Sequence, residues 1–131
     1  MAVDKQIRNL GSFAEEAYGF AQAVKVADTV YVSGQTAFLP EGGIVGVGDM
    51  EAQMRQSYVG VAQLLQAYGA DMSNVVDETL YVTDMAAAAS VARKVRGEAY
   101  GEVFEVASSL IGVQALGAPD LMIEIKCTAR L

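Results

Sequence analysis

Histidine is absent from this 131-residue sequence, cysteine occurs once, proline occurs twice, and the nine Lys and Arg residues are outnumbered by sixteen Asp and Glu. Each shortage removes a class of function. Without histidine, Ser-His-Asp and Cys-His catalysis cannot be assembled within the chain, nor can the usual histidine-containing zinc sites, so no metal site is expected. Catalysis, if present, has to use carboxylates, hydroxyls, backbone groups and positioned water. The lone Cys127 rules out an intramolecular disulfide and points to a reducing, cytoplasmic setting. A net charge of −7 repels phosphate backbones, and no run of Lys and Arg offsets it, so nucleic acid is not an expected partner. No apolar stretch approaches the ~18 residues that span a bilayer, and the opening "MAVDKQIRNLGSF" lacks the apolar core of an export signal. Neither membrane insertion nor export is expected.

What the sequence does hold is apolar surface. Hydrophobic residues make up 53% and charged residues only 19%, more apolar area than one small core absorbs, which favours an oligomer. The length suits a single domain over residues 1–131.

Along the chain, "FAQAVKVADTVYVSGQ" reads as two strands hinged at Ala27 and Asp28, with Val30 and Val32 alternating against Tyr31 and Ser33. The glycine-rich "LPEGGIVGVGD" follows, and its Asp49 is a helix N-cap. Met54, Tyr58, Val61, Ala62, Leu65 and Tyr68 then fall at helical spacing up to Gly69. "NVVDETLYVTD" is the next strand, and Asp84 caps a second helix with a small-residue stripe of Ala88, Val91, Ala92, Val95 and Ala99. "SSLIGVQAL" and "LMIEIKCTARL" read as two further strands joined around "GAPD". The order β-β-α-β-α-β-β predicts an α+β fold in which two helices cover one face of a mixed sheet. In the last strand, Ile123, Ile125, Cys127 and Ala129 belong to the covered face, and Glu124, Lys126, Thr128 and Arg130 to the open one.

Several residues invite a chemical reading. The glycines of "EGGIVGVGD" lack the Lys-Ser or Lys-Thr of a phosphate loop and read as a turning segment. Cys127 has no basic neighbour on its face and reads as a buried small hydrophobe. Ser33 and Gly34 end a strand where a small acid or carbonyl can meet backbone groups, or where the hydroxyl simply satisfies a turn. Glu15 and Glu16 read as surface charge on a flexible segment. Glu124 is either salt-bridged to Lys126 or Arg130 along its own face or chemically active.

The segments "EEAYGFAQAVKVADTVYVSGQTA", "QMRQSYVGVAQLLQAYGA", "NVVDETLYVTD" and "PDLMIEIKCTA", in this order over nearly the whole chain, resemble the Rid family of reactive intermediate deaminases, also called the YjgF family. The resemblance implies a chorismate-mutase-like fold, a homotrimer with ligand clefts between subunits, and cofactor-independent hydrolysis of imines and enamines of 2-amino acids. In such proteins a glutamate in the last strand positions the water, an arginine opening the penultimate strand grips the substrate carboxylate, and an aromatic ring and an "SG" turn complete the cleft. Glu124 matches the glutamate, Ser33 and Gly34 match the turn, and Phe20 falls where the family often has tyrosine. Ser108 stands in the arginine's place and Ser109 in that of the following serine. A serine cannot make the bidentate, charge-assisted contact of an arginine, so weak hydrolysis of 2-imino acids is expected unless Arg8, Lys25, Lys126 or Arg130 of a neighbouring subunit substitutes.

The reading that follows is a small hydrolase of an imine, enamine or related electrophile, with Glu124 catalytic and Phe20, Ser33, Gly34, Ser108 and Ser109 binding. A non-catalytic trimer that binds a small metabolite is the alternative, and a ribonuclease or translation inhibitor the remaining one.

Overall fold

In the computed structural model, which describes residues 2–131, the elements run β1 (Gln6–Arg8), α1 (Phe13–Tyr18), β2 (Ala23–Val26), β3 (Thr29–Gln35), α2 (Met50–Gln66), a 3-10 turn at Met72–Asn74, β4 (Val75–Val82), α3 (Met85–Tyr100), β5 (Ala107–Gly112) and β6 (Ile123–Arg130). The α+β class stands as expected. One six-stranded sheet has the order β1-β2-β3-β6-β4-β5, and only the β4–β5 pair is parallel. The last two strands are therefore not neighbours, because β6 inserts between β3 and β4 and the chain must pass β4 to reach it.

The expected β-β-α-β-α-β-β order is short by two elements, β1 and α1. Neither carries the signal that periodicity detects: β1 has three residues, all exposed, and α1 has six residues, none buried. Both are held by partners elsewhere in the chain and not by an amphipathic pattern of their own.

The two longer helices form where their caps and stripes place them. Asp49 accepts from Ala52 N at 3.1 Å and Asp84 from Ala87 N at 3.0 Å, each satisfying an otherwise orphaned amide. Met54, Tyr58, Val61 and Leu65 of α2, with Ala88, Ala92 and Val95 of α3, pack with Val30, Val32, Leu80, Ile125 and Cys127 of the sheet in one core. Burial, and the nearby Glu78 carboxylate, push the Cys127 thiol up to about 12, so it is inert at neutral pH. Among the described residues no helix is long and apolar enough to cross a membrane.

One charged residue lies inside this core. Glu78 on β4 is 1% exposed because it shares strand parity with Leu80 and Val82. Its carboxylate accepts from Tyr58 Oη at 2.7 Å, Tyr100 Oη at 2.7 Å, Arg96 Nε at 2.8 Å and Ser108 Oγ at 2.6 Å. The cluster joins both long helices to β4 and β5.

Candidate active site

On the open side of the sheet, pairing of β3 with β6 slips in a bulge between Val32 and Gln35, so that Ser33 and Gly34 together stand against the single Lys126, and Gly34 comes up against the Glu124 side chain. The bulge leaves room for a carboxylate. A Cβ on Gly34 would stand 2.5 Å from Glu124 Cδ and 2.6 Å from Cγ, and closer still to Oε2. Glycine thus lets Glu124 keep this position by close approach, not by a positive φ. Glu124 and Gly34 form part of the wall of a cavity of about 400 Å³ whose other lining is largely apolar, with the rings of Phe13, Tyr18, Phe20 and Phe38. Phe13 and Phe38 meet edge to face at 6.2 Å.

The Glu124 carboxyl is half-buried, and among the described residues no hydrogen-bond donor or salt-bridge partner reaches it. Desolvation raises its pKa, opposed only in part by the charge of Lys126 further along the same face. The salt-bridge alternative does not hold, since Arg130 pairs with Asp28 at 3.1 Å and Lys126 acts only through space. An unpaired, partly desolvated carboxylate in an apolar cavity is a chemically poised group.

α1 closes the near side of the cavity, and here residue-by-residue reading missed a legible signal. Ser12-x-x-Glu15 is a capping box: Ser12 N donates to Glu15 Oε2 at 3.0 Å, and the Ser12 hydroxyl donates to the same oxygen. Glu15 is therefore not a loose surface charge. Burial pushes its carboxyl up, but the hydrogen bonds from Ser12, Gln22 and the Gly11 amide outweigh this and hold it below its usual value. Gln22 Nε2 donates to Glu15 at 3.0 Å, and Gln35 Nε2 donates to Gln22 Oε1 at 2.9 Å. This amide relay anchors the short helix, and with it Phe13 and Tyr18, to the sheet. On the far side, buried Gln53 donates to Asp120 O at 2.9 Å and accepts from Met122 N at 2.9 Å, fixing the loop that brings Leu121 to the cavity.

Of the residues singled out in the sequence, Phe20, Gly34 and Glu124 come together at the cavity. Ser33 does not line it: its hydroxyl donates to Ala21 O at 2.7 Å and fixes the strand entry beside Phe20. Phe13, Tyr18 and Phe38 were not anticipated, because they lie on a six-residue helix and a loop whose placement is tertiary.

A family described as Endoribonuclease L-PSP matches residues 13–131. A RutC family protein of Pyrococcus abyssi is 30% identical over 112 residues, covering 84% of this chain and 84% of that protein. The chain belongs to this family, the Rid or YjgF family. Reactive Intermediate Deaminase A of Arabidopsis thaliana is 32% identical over 114 residues, covering 86% of this chain and 58% of that protein. A solved Mycobacterium tuberculosis member of the YjgF/YER057c/UK114 family superposes with a TM-score of 0.84 at 30% identity, covering 98% of this chain and all of that one.

In this Rid chain the residues at the start of β5 stay away from the cavity of their own chain. Ser108 faces the helices, donating to Glu78 and accepting from Arg96 Nη2 at 3.1 Å. Ser109 pairs with Thr79, which pairs with Lys126, and so lies at the far edge of the open face. The guanidinium nearest Ser108 is that of Arg96, which the sequence reading did not consider, and its charge is already matched by buried Glu78. Of the other cations considered, Arg8 lies over the Tyr68 ring at 5.1 Å and Lys25 donates to Gln6 Oε1 at 3.4 Å.

Proposed function

We propose that the chain is a cofactor-independent hydrolase of imines or related small electrophiles, acting in the Glu124 cavity. The observation that carries this reading is the half-buried, unpartnered Glu124 carboxylate in an aromatic cavity, and the likeness to a reactive intermediate deaminase supports the reaction class. Glu124 takes a proton from water as the water oxygen bonds to the imine carbon and the C=N pair moves to nitrogen. The carboxylic acid then returns that proton to nitrogen, the C–N bond breaks as Glu124 takes the proton of the new hydroxyl and the carbonyl forms, and that proton passes to the departing ammonia. The net change is iminium plus water to carbonyl plus ammonium. Phe20 walls the site, Gly34 leaves space for the carboxylate, and Ser33 braces the entry to β2. A panel of imines generated in situ by amine and amino-acid oxidases, followed by carbonyl release, tests the reading. Carbonyl release no faster than in buffer for every member would leave the same cavity as a metabolite-binding site.

The open sheet face, with Tyr31 49% and Ile111 42% exposed, supports a homotrimer closed through that face. Ser109 would then be presented to a neighbouring chain, the route by which β5 contributes to a shared cleft. Light scattering is expected to give about three times the 13.8 kDa chain mass. A stable monomer at micromolar concentration would remove this assignment.

Gly34→Ala is expected to push Glu124 out of position and lower kcat by ~10-fold or more, with little change in the circular dichroism spectrum. Unchanged kcat in a folded Gly34→Ala protein would show that Glu124 does not need its observed rotamer.

A further inference from the structure

Charge in the cavity is one-sided. Among the described residues that line it, Glu124 is the single carboxylic acid and no Lys or Arg is present. The cations of the chain are largely committed elsewhere: Arg55 to Glu51 and Glu98, Lys94 to Glu51, Arg96 to Glu78 and Arg130 to Asp28, with Arg93 over the Phe104 ring. Lys126 shares the sheet face with Glu124 but is exposed and outside the cavity wall.

From this arrangement we infer that the pocket selects a small aromatic or apolar ligand bearing a positive charge, such as a protonated imine without a carboxylate, over a ligand bearing a carboxylate. The inference rests on the hydrolase reading and narrows its substrate class. A carboxylate entering this cavity loses hydration beside a second carboxylate and gains no cation from the lining of this chain, nor from Ser108 and Ser109 where β5 of a neighbouring chain would join the cleft, so both desolvation and repulsion oppose it. A cationic imine meets the opposite conditions. Its charge pairs with Glu124, and the rings of Phe13, Tyr18, Phe20 and Phe38 supply apolar contact, to which any ring face turned toward the ligand adds the negative quadrupole that attracts cations. The same pairing sets the electrophilic carbon beside the group that activates water.

Two inert probes with the same ring and linker isolate the charge: 2-phenylethylammonium and 3-phenylpropanoate, titrated calorimetrically into the intact protein at pH 7. The ammonium is expected to bind at least ~10-fold more tightly, and Glu124→Gln is expected to erase the difference. Equal or tighter binding of the carboxylate, or no binding of either at millimolar concentration, overturns the inference. A matched pair of substrates separates it from the hydrolase reading: the imine released from 2-phenylethylamine by an amine oxidase, and that released from phenylalanine by an amino-acid oxidase. Faster hydrolysis of the first supports both readings. Faster hydrolysis of the imino acid defeats the charge selection while the hydrolase stands. Ammonium preference with turnover of neither supports charge selection and removes the hydrolase.

Discussion

Glu124→Gln is expected to reduce imine hydrolysis by ~100-fold or more, since a positioned general base contributes on that order, while the protein stays folded and gains slightly in thermal stability at pH 7. The gain follows from the sign of the shift. Burial raises the Glu124 pKa, so the fold disfavours the charged form, and ionisation costs stability as pH rises through the folded-state value. Below the ordinary carboxylate range both states are protonated and the difference between wild type and Glu124→Gln should vanish. The acid limb of kcat/KM should likewise lie above the ordinary carboxylate value, because the base must be ionised to accept the proton. Thermal melts of both proteins across pH 3 to 8, with rates on the most reactive imine, check both parts. A marked loss of stability in Glu124→Gln at pH 7 would show that the carboxylate holds the fold, and retained turnover would show that water is activated elsewhere.

Glu78→Ala is expected to cost about 3–5 kcal/mol of folding stability, the usual loss when one partner of a buried ion pair is removed, and to lower the melting midpoint by on the order of 10 °C. The tyrosines decide the size of the effect. Tyr58 is 4% exposed, so its hydroxyl cannot find water once its acceptor is gone, whereas the Arg96 side chain is 20% exposed and can turn outward. Tyr58→Phe and Tyr100→Phe each remove one hydrogen bond to a charged acceptor and should cost about 1.5–3 kcal/mol. Urea denaturation measures all three, and a loss below ~1 kcal/mol for Glu78→Ala would mean that the cluster contributes no net stability. Ser108 belongs to this cluster, so Ser108→Arg would set a second guanidinium beside Arg96 and is expected to destabilise the protein, not to create a carboxylate site.

Much of this was readable from residue order. Asp49 and Asp84 announce their helices through side-chain chemistry that acts over three residues, and alternation along β6 assigns every side chain of that strand to its face. Such features are local, so a linear sequence contains them in full. Glu124 was legible for the same reason: a carboxylate between two isoleucines is displaced from its neighbours' face by strand geometry alone.

What lies around Glu124 was decided by the tertiary structure. Strand parity says that Glu78 and Glu124 occupy opposite faces, but not that one meets two tyrosines, an arginine and a serine while the other meets rings and no cation. Those partners come from α1, α2, α3, β5 and loops elsewhere in the chain, and only packing sets their distances. Ser108 shows the difference most directly. Its position at the start of β5 can be counted in the sequence, but its side chain turns to the helices because β5 pairs in parallel with β4 and places it beside Glu78, a register that no local pattern in "ASSLIG" specifies.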